Sequence, residues 1–329
     1  YYQSGNYNIA IGNQAMYGNT STTDGDHNIA LGYYALYSTT TGEKNIAIGA
    51  SSLDALTTAS GNVAMGYAAL TAATTAHENT AIGFEAGKTV TGGYNTIIGS
   101  KAASQASSLS VSVVIGREAM GGADSTGGAN VAIGNNAANN YVSGDDNVWI
   151  GRSAGSGSTT AIRNVALGKE ALAALQDSTN GGQNTALGYR AGYVLIGMRN
   201  TIIGQNAGST ATSAASNVYI GYEAGAKMTT GDSNIIIGSK AGPLATSTDS
   251  NKLYIHNDEG TPLIGGDFSA GTVTIDGTLS ATAKSFNIEH PLDKDKRLVH
   301  GSLEGPEHGI YLRGTIETEE KGCLIELPE

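Results

Sequence analysis

A single cysteine, Cys323, in 329 residues excludes a disulfide framework and a CxxC metal knuckle. Proline is as scarce, at 5, which excludes a polyproline linker. Aromatics make up 6% and charged residues 14%, against about 25% charged in an average chain. With 40% hydrophobic content, so little charge excludes a disordered tail. The balance is −11 and no basic stripe occurs, which argues against a nucleic-acid partner. No apolar run reaches 18 residues, so no membrane insertion is expected. No leader follows Tyr1, and the stretch reads as a fragment without a signal peptide. What is abundant is glycine, 47 residues, roughly twice the usual share of about 7%.

Much of that glycine closes a repeated pentad, of which Asn45-Ile46-Ala47-Ile48-Gly49 is a clear copy. Fourteen copies end at glycines 12, 32, 49, 66, 83, 99, 116, 134, 151, 168, 188, 204, 221 and 238. Thirteen begin with asparagine: Asn8, Asn28, Asn45, Asn62, Asn79, Asn95, Asn130, Asn147, Asn164, Asn184, Asn200, Asn217 and Asn234. The other begins with Ser112. The spacing of 16 to 20 residues, mostly 17, is too short for a helical hairpin or a propeller blade. It fits one coil of a parallel β-solenoid (a β-roll), and an all-β fold.

Strand side chains alternate, so the second and fourth pentad positions share one face and the third takes the other. The second is always Ile, Val or Thr and the fourth Ile, Leu or Met. These branched residues are expected to fill the coil. The third is Ala in eight copies and Ile97, Val114, Trp149, Ile202, Tyr219 or Ile236 in the rest, never charged. A strand apolar on both faces is buried on both, so the third position is expected to meet a second chain. Three residues after the glycine comes Ala in thirteen of fourteen copies. The Thr, Ser, Gly and Asp that follow read as an outer turn of variable length.

The asparagines read as a structural ladder, each amide bonding the next rung and closing the turn behind it. Gly three residues upstream in nine copies supports that turn. At about 4.8 Å per rung, the stack makes a rod about 70 Å long.

The phrase N-x-A-I-G-x-x-A at this spacing resembles the head repeats of trimeric autotransporter adhesins and related repeats of phage tail fibres. The resemblance covers about residues 1–242 and implies a parallel β-roll with three chains about one axis. The period near 17 is longer than the adhesin pattern. Beyond the repeat, Asn251-Lys252-Leu253-Tyr254-Ile255 reads as a degenerate last rung, and Thr261 to Leu279 as a short hairpin or neck. Composition then shifts. Lys284 to Asp293, followed by His300 to Tyr311, is similar to a tail-fibre segment that often lies near an endosialidase-type intramolecular chaperone. That family assembles its trimer on the chaperone, which is then cleaved off; an end at Glu329 would fit such a cleavage. The expected organisation is a shaft over 1–250, a last rung and neck over 251–283, and a β-rich tip or pre-chaperone module over 284–329.

Chemistry finds little support. His300 or His308 could supply three metal ligands on a threefold axis, yet no His-x-His or His-x-x-x-His spacing accompanies them. Glycan hydrolysis needs two carboxylates flanking the bond; Asp145, Asp146, Glu304 and Glu307 are present, but the first two sit in a turn where Asp is common. Gly151-Arg152-Ser153-Ala154-Gly155 matches a nucleophile elbow formally but is the repeat itself. A calcium roll would need a nine-residue period. An ice-binding Thr row has only Thr80, Thr96, Thr185 and Thr201, at a position expected to face inward. The aromatics just after the motif glycine (Tyr33, Tyr34, Tyr67, Phe84, Tyr189 and Tyr222) are candidate receptor contacts, since Tyr can stack on a sugar ring.

The reading is a non-enzymatic, cofactor-free homotrimeric fibre of a phage or phage-like tail. In the virion it would touch other tail or fibre proteins and a host-surface receptor, a glycan among the candidates. A bacterial surface adhesin or filament and a glycan-degrading tailspike are the alternatives.

Overall fold

The computed structural model describes residues 5–18, 25–174 and 182–280, and the backbone of 285–290 and 293–301. The chain forms two compact units, Tyr1–Gly277 and Thr278–Glu329. The described residues are all-β, without helix. Fourteen three-residue strands, β1 (Ile9–Ile11) to β14 (Ile235–Ile237), stack as one parallel sheet. Each pairs with the next, pentad on pentad: Ile46 faces Val63, Ala47 faces Ala64 and Ile48 faces Met65. The first unit is thus a β-solenoid with one strand per coil of about 17 residues, and each coil is numbered here by its pentad.

The motif glycine ends each strand. Gly49 has φ +129°, and a Cβ there would lie 2.5 Å from the carbonyl oxygen of Gly66 in the next coil. Glycine therefore stacks on glycine, because any side chain would hold the coils apart. Past it the chain curls back through non-glycine residues at positive φ, such as Ser51 (55°) and Leu53 (50°). Such residues cost about 1–2 kcal/mol each in the left-handed region. They persist because the stacked coils fix them from both sides.

The strand faces are the reverse of the sequence expectation. The third position points into the chain's own coil: Ala30, Ala47, Ala64, Trp149 and Tyr219 are all fully buried. The second and fourth positions point outward; Met65, Ile82 and Leu167 are exposed and most others half-buried. A coil this narrow admits one inward side chain per three-residue strand, so the two branched residues cannot both enter.

What fills the coil is a balance between the third position and the residue four after the motif glycine. Where the third is Ala, the opposite wall is usually long: Ala30 with Leu36, Ala47 with Leu53, Ala64 with Leu70, Ala166 with Leu172. At Trp149, Ile202, Tyr219 and Ile236 the wall shrinks to glycine, while Ile97 has Ala103 and Val114 has Met120; Gly87 and Gly192, opposite Ala81 and Ala186, take up side chains of the adjacent coils instead. Trp149 has Gly155, whose added Cβ would lie 2.5 Å from the indole Cδ2. Tyr219 lies between Gly208 and Gly225, whose Cβ atoms would come within 2.7 and 2.8 Å of its ring. Coil 8 has Ala132 and Ala138, and the buried Tyr141 comes in from the following turn. Packing at constant volume, rather than a fixed residue, is what repeats.

The asparagines lie in one buried column. Asn62 Nδ2 donates to the Asn45 carboxamide oxygen (3.1 Å) and to the Ala76 carbonyl (2.8 Å), and its backbone N–H donates to the same Asn45 oxygen (3.0 Å). The pattern runs from Asn8 to Asn234. It changes at coil 7, where Ser112 Oγ accepts from the Asn130 N–H at 3.2 Å. Just beyond, Tyr141 enters the column, its hydroxyl accepting from Asn147 Nδ2 at 3.2 Å and standing 3.4 Å from Asn130 Oδ1. Burial pushes that hydroxyl's pKa up.

The stack ends in a change of direction. Strand β15 (Lys252–Ile255) adds parallel to β14, and the Lys252 N–H takes the last ladder bond from Asn234 Oδ1 (2.8 Å). Strands β16 (Ile264–Asp267) and β17 (Thr272–Ile275) then run antiparallel. Lys252 Nζ pairs with Asp267 at 2.6 Å, which also accepts from Ser269 and from the Ala270 N–H. In the second unit β18 (Ser285–His290) pairs antiparallel with β19 (Asp293–Gly301).

Two outcomes test this packing. Trp149→Ala should cost about 3–5 kcal/mol by leaving a cavity, and Gly155→Leu should cost more by collision. The double variant recreates the Ala166–Leu172 pairing and should recover most of the melting temperature; additive losses would refute the balance. The second concerns pH. The Lys252 ammonium, with Ser269 and Ala270, holds the Asp267 carboxyl well below the usual range. A depressed carboxyl stabilises above its unfolded-state value of about 3.9, and that contribution is lost as pH falls through the lower folded value. Asp267→Asn should therefore melt lower than the parent at pH 7, with the gap beginning to narrow as pH falls below about 4.

Candidate functional site

The outward strand face is the first candidate surface. It carries the second and fourth residues of fourteen coils: twenty-four are aliphatic or Met, four are Thr, and none is charged. Pairing in register lines these side chains up in two rows along the sheet. At about 4.8 Å per strand the rows run about 65 Å. A contiguous apolar strip of that length exceeds what monomeric proteins ordinarily expose.

The second candidate is the corner just after the motif glycine. Tyr33 (53%), Tyr67 (53%), Phe84 (47%), Tyr189 (37%) and Tyr222 (43%) are exposed there. Tyr34 is half-buried and points along the wall instead, 4.6 Å from the Tyr37 ring. The rings form local groups rather than one row. Tyr67 and Phe84, one coil apart, stack with centroids 5.4 Å apart and planes 16° from parallel. Tyr33 meets Tyr34 edge-on at 4.2 Å. Lys169 lies over the Tyr189 ring at 5.0 Å, and Arg190 over Tyr193 at 4.1 Å. Tyr222 stands alone among these rings, its hydroxyl pKa raised by a hydrogen bond with Glu223 and that residue's charge.

The candidates for chemistry are not gathered. Asp145 accepts from the Gly128 N–H at 2.8 Å, a turn-to-turn bond. Asp146 has φ 62° at the residue before Asn147 and lies 3.9 Å from Arg163. Ser153 occupies an ordinary repeat position; its N–H donates to Asn135 at 2.9 Å, and Gly155 is the glycine against Trp149. His300 belongs to β19, of which only the backbone is described. His308, Glu304 and Glu307 lie outside the described residues. Thr80, Thr96, Thr185 and Thr201 lie on the outward face, not inside as expected, as two adjacent pairs (Thr80 beside Thr96, Thr185 beside Thr201) with valines between them.

No protein-family model, curated protein or solved structure matches the chain. The surfaces are therefore read from their own geometry. The sequence shows both strips of residues, but alternation alone puts the outer one inside; the signal that decides it is the reciprocal size of the third position and the wall residue, legible at Trp149 and Gly155 or Tyr219 and Gly225.

Two substitutions one residue apart separate the faces. Ala132→Asp buries an unpaired carboxylate inside the coil and should abolish the cooperative melt. Ile133→Asp, pointing outward, should keep the β-sheet circular-dichroism spectrum while dissolving any self-assembly. The opposite assignment of outcomes would restore the inverted faces.

Proposed function

We propose that the chain is the shaft of a homotrimeric fibre, of the kind that projects from a phage or phage-like tail toward a host surface. The apolar outward sheet face carries this reading. It is uncharged along all fourteen coils, and a second and third copy bearing the same face in the same register would bury it without leaving a charge or an open row. The coil needs no help from partners to fill its interior, so association serves to cover the sheet and to stiffen the rod.

The assignment to a tail rather than to a cell envelope rests on the C-terminal sequence from Lys284 to Tyr311, which is similar to the tail-fibre segment preceding a chaperone. A structural role also agrees with the use made of Asp145, Asp146 and Ser153, each committed to turn bonds or coil packing. Adhesion, if weak at each contact, would gain from threefold repetition along a rigid support.

Sedimentation equilibrium at micromolar chain should give about three times 33.4 kDa, near 100 kDa. A soluble monomer would overturn the trimer. Antibodies against residues 25–174, applied to particles and cells of the source culture, should decorate tail appendages in negative stain; labelling of the envelope alone would favour the adhesin.

A further inference from the structure

The wall of the coil away from the apolar sheet face carries a recess. Over coils 5 to 8 a groove of about 370 Å³ opens among Glu85, Lys88, Lys101, Glu118, Gly121 and Asn139. It exists because coil 7 turns early: Gly121 stands where other coils place Tyr37, Lys88, Ser104 or Asn139, and a second glycine, Gly122, follows it. Its volume lies within the range of small-ligand sites, about 300–1,000 Å³. Its lining is polar and its charges are matched. Two carboxylates of the lining, Glu85 and Glu118, face two ammoniums, Lys88 and Lys101; Lys88 pairs with Glu85 at 2.8 Å, and Arg117, outside the lining, reaches Glu118 at 2.9 Å.

The stacked pair Tyr67–Phe84 is not part of the lining but neighbours it along the chain. Phe84 adjoins Glu85, and its carbonyl accepts from the Lys101 N–H at 2.8 Å. Glu85, by hydrogen bond and charge, raises the pKa of Lys88 within the lining. Because the two rings stack on each other along the rod, each keeps one face uncovered. In the same column the flanking coils carry only Ala50 and Ser100, too short to cover those faces. An open aromatic face next to a recess rich in amide, carboxylate, hydroxyl and ammonium groups is a particular combination. A pyranose ring offers the complement: an apolar C–H face to stack on Phe84, and hydroxyls that both donate and accept.

We infer that the Phe84 face and the adjoining groove over coils 5–8 form a binding site for a neutral, hydroxyl-rich oligosaccharide. Its position follows from three features that occur together only there in the described shaft: the ring stack, the short neighbours and the early turn. The charge balance of the lining favours an uncharged chain over a polyanion, and weak binding at one groove would be multiplied by a trimer. The inference extends the attachment reading by naming a site and a ligand class, and it rests on that reading only for biological purpose.

The test uses the whole chain and an array of immobilised neutral oligosaccharides (glucans, galactans, mannans) beside acidic ones such as hyaluronan and polysialic acid. Binding to at least one neutral class is expected, with less than about a twofold change between about 50 and 500 mM salt, since exposed charge attraction is screened over that interval. Phe84→Ala and Lys101→Ala should each weaken it by about tenfold or more. Tyr94→Ala, an exposed tyrosine in the turn before Asn95, should leave it unchanged. The melting temperatures of all three should match the parent's. No retained neutral sugar, binding confined to the acidic sugars, or an equal loss in Tyr94→Ala would each overturn the site. Antibody labelling of particles reports on attachment separately, so either conclusion can fail without the other.

Discussion

A coil that can admit one inward side chain from its only strand governs the structure of this shaft. Ordinary two-layer β proteins spread their core over many alternating positions, and any one may vary. Here each coil has one inward strand residue facing a few wall and turn residues, so volume must be balanced locally. Trp149 requires Gly155; Leu172 requires Ala166. The same narrowness forces the branched residues outward and so creates the apolar face on which the trimeric reading depends. Function begins where the core runs out of space.

The second constraint is polar. A buried carboxamide without partners would cost about 1–3 kcal/mol, and the column holds twelve. Each is made affordable by its neighbours: the oxygen accepts from the next coil's amide and backbone, and the nitrogen reaches a carbonyl of the following turn. The ladder therefore favours long stacks over short ones, since only its ends lack a neighbour. At the far end Lys252 takes the last bond through its backbone, and its side chain turns to Asp267 as the sheet changes to antiparallel. At coil 7, Ser112 supplies a shorter acceptor, and from the turn of coil 8 the Tyr141 hydroxyl joins the column between Asn130 and Asn147.

Much of this was legible in the sequence. The period implied the coil, the asparagine column implied the ladder, and the degenerate rung at Asn251 to Ile255, past which the period stops, marked the end of the parallel stack. Alternation, however, fixes only which residues share a face, not which face is inside. With Ile at positions two and four and Ala at three, hydrophobicity favours the wrong answer, because it ignores how little room a three-residue strand encloses. The groove beside Phe84 was hidden for another reason. It depends on a turn that closes early at Gly121 and Gly122, and a pair of glycines in a loop-rich repeat draws no notice until the neighbouring walls are in place.

The pairing of strand residue with wall residue inside a single coil also makes the coil a unit of inheritance. A duplication or deletion that removes one whole repeat carries both halves of the volume balance with it, brings one asparagine and one glycine to the new junction, and changes the rod by about 4.8 Å. Length can then drift in fixed steps while the cross-section stays the same. Some seams are closed to such exchange: Tyr219 spans Gly208 of the preceding coil as well as its own Gly225, and Gly192 relies on Leu172 and Ile202 from either side. A shaft of this construction behaves as a molecular ruler whose marks can be added or erased except where a side chain crosses the line.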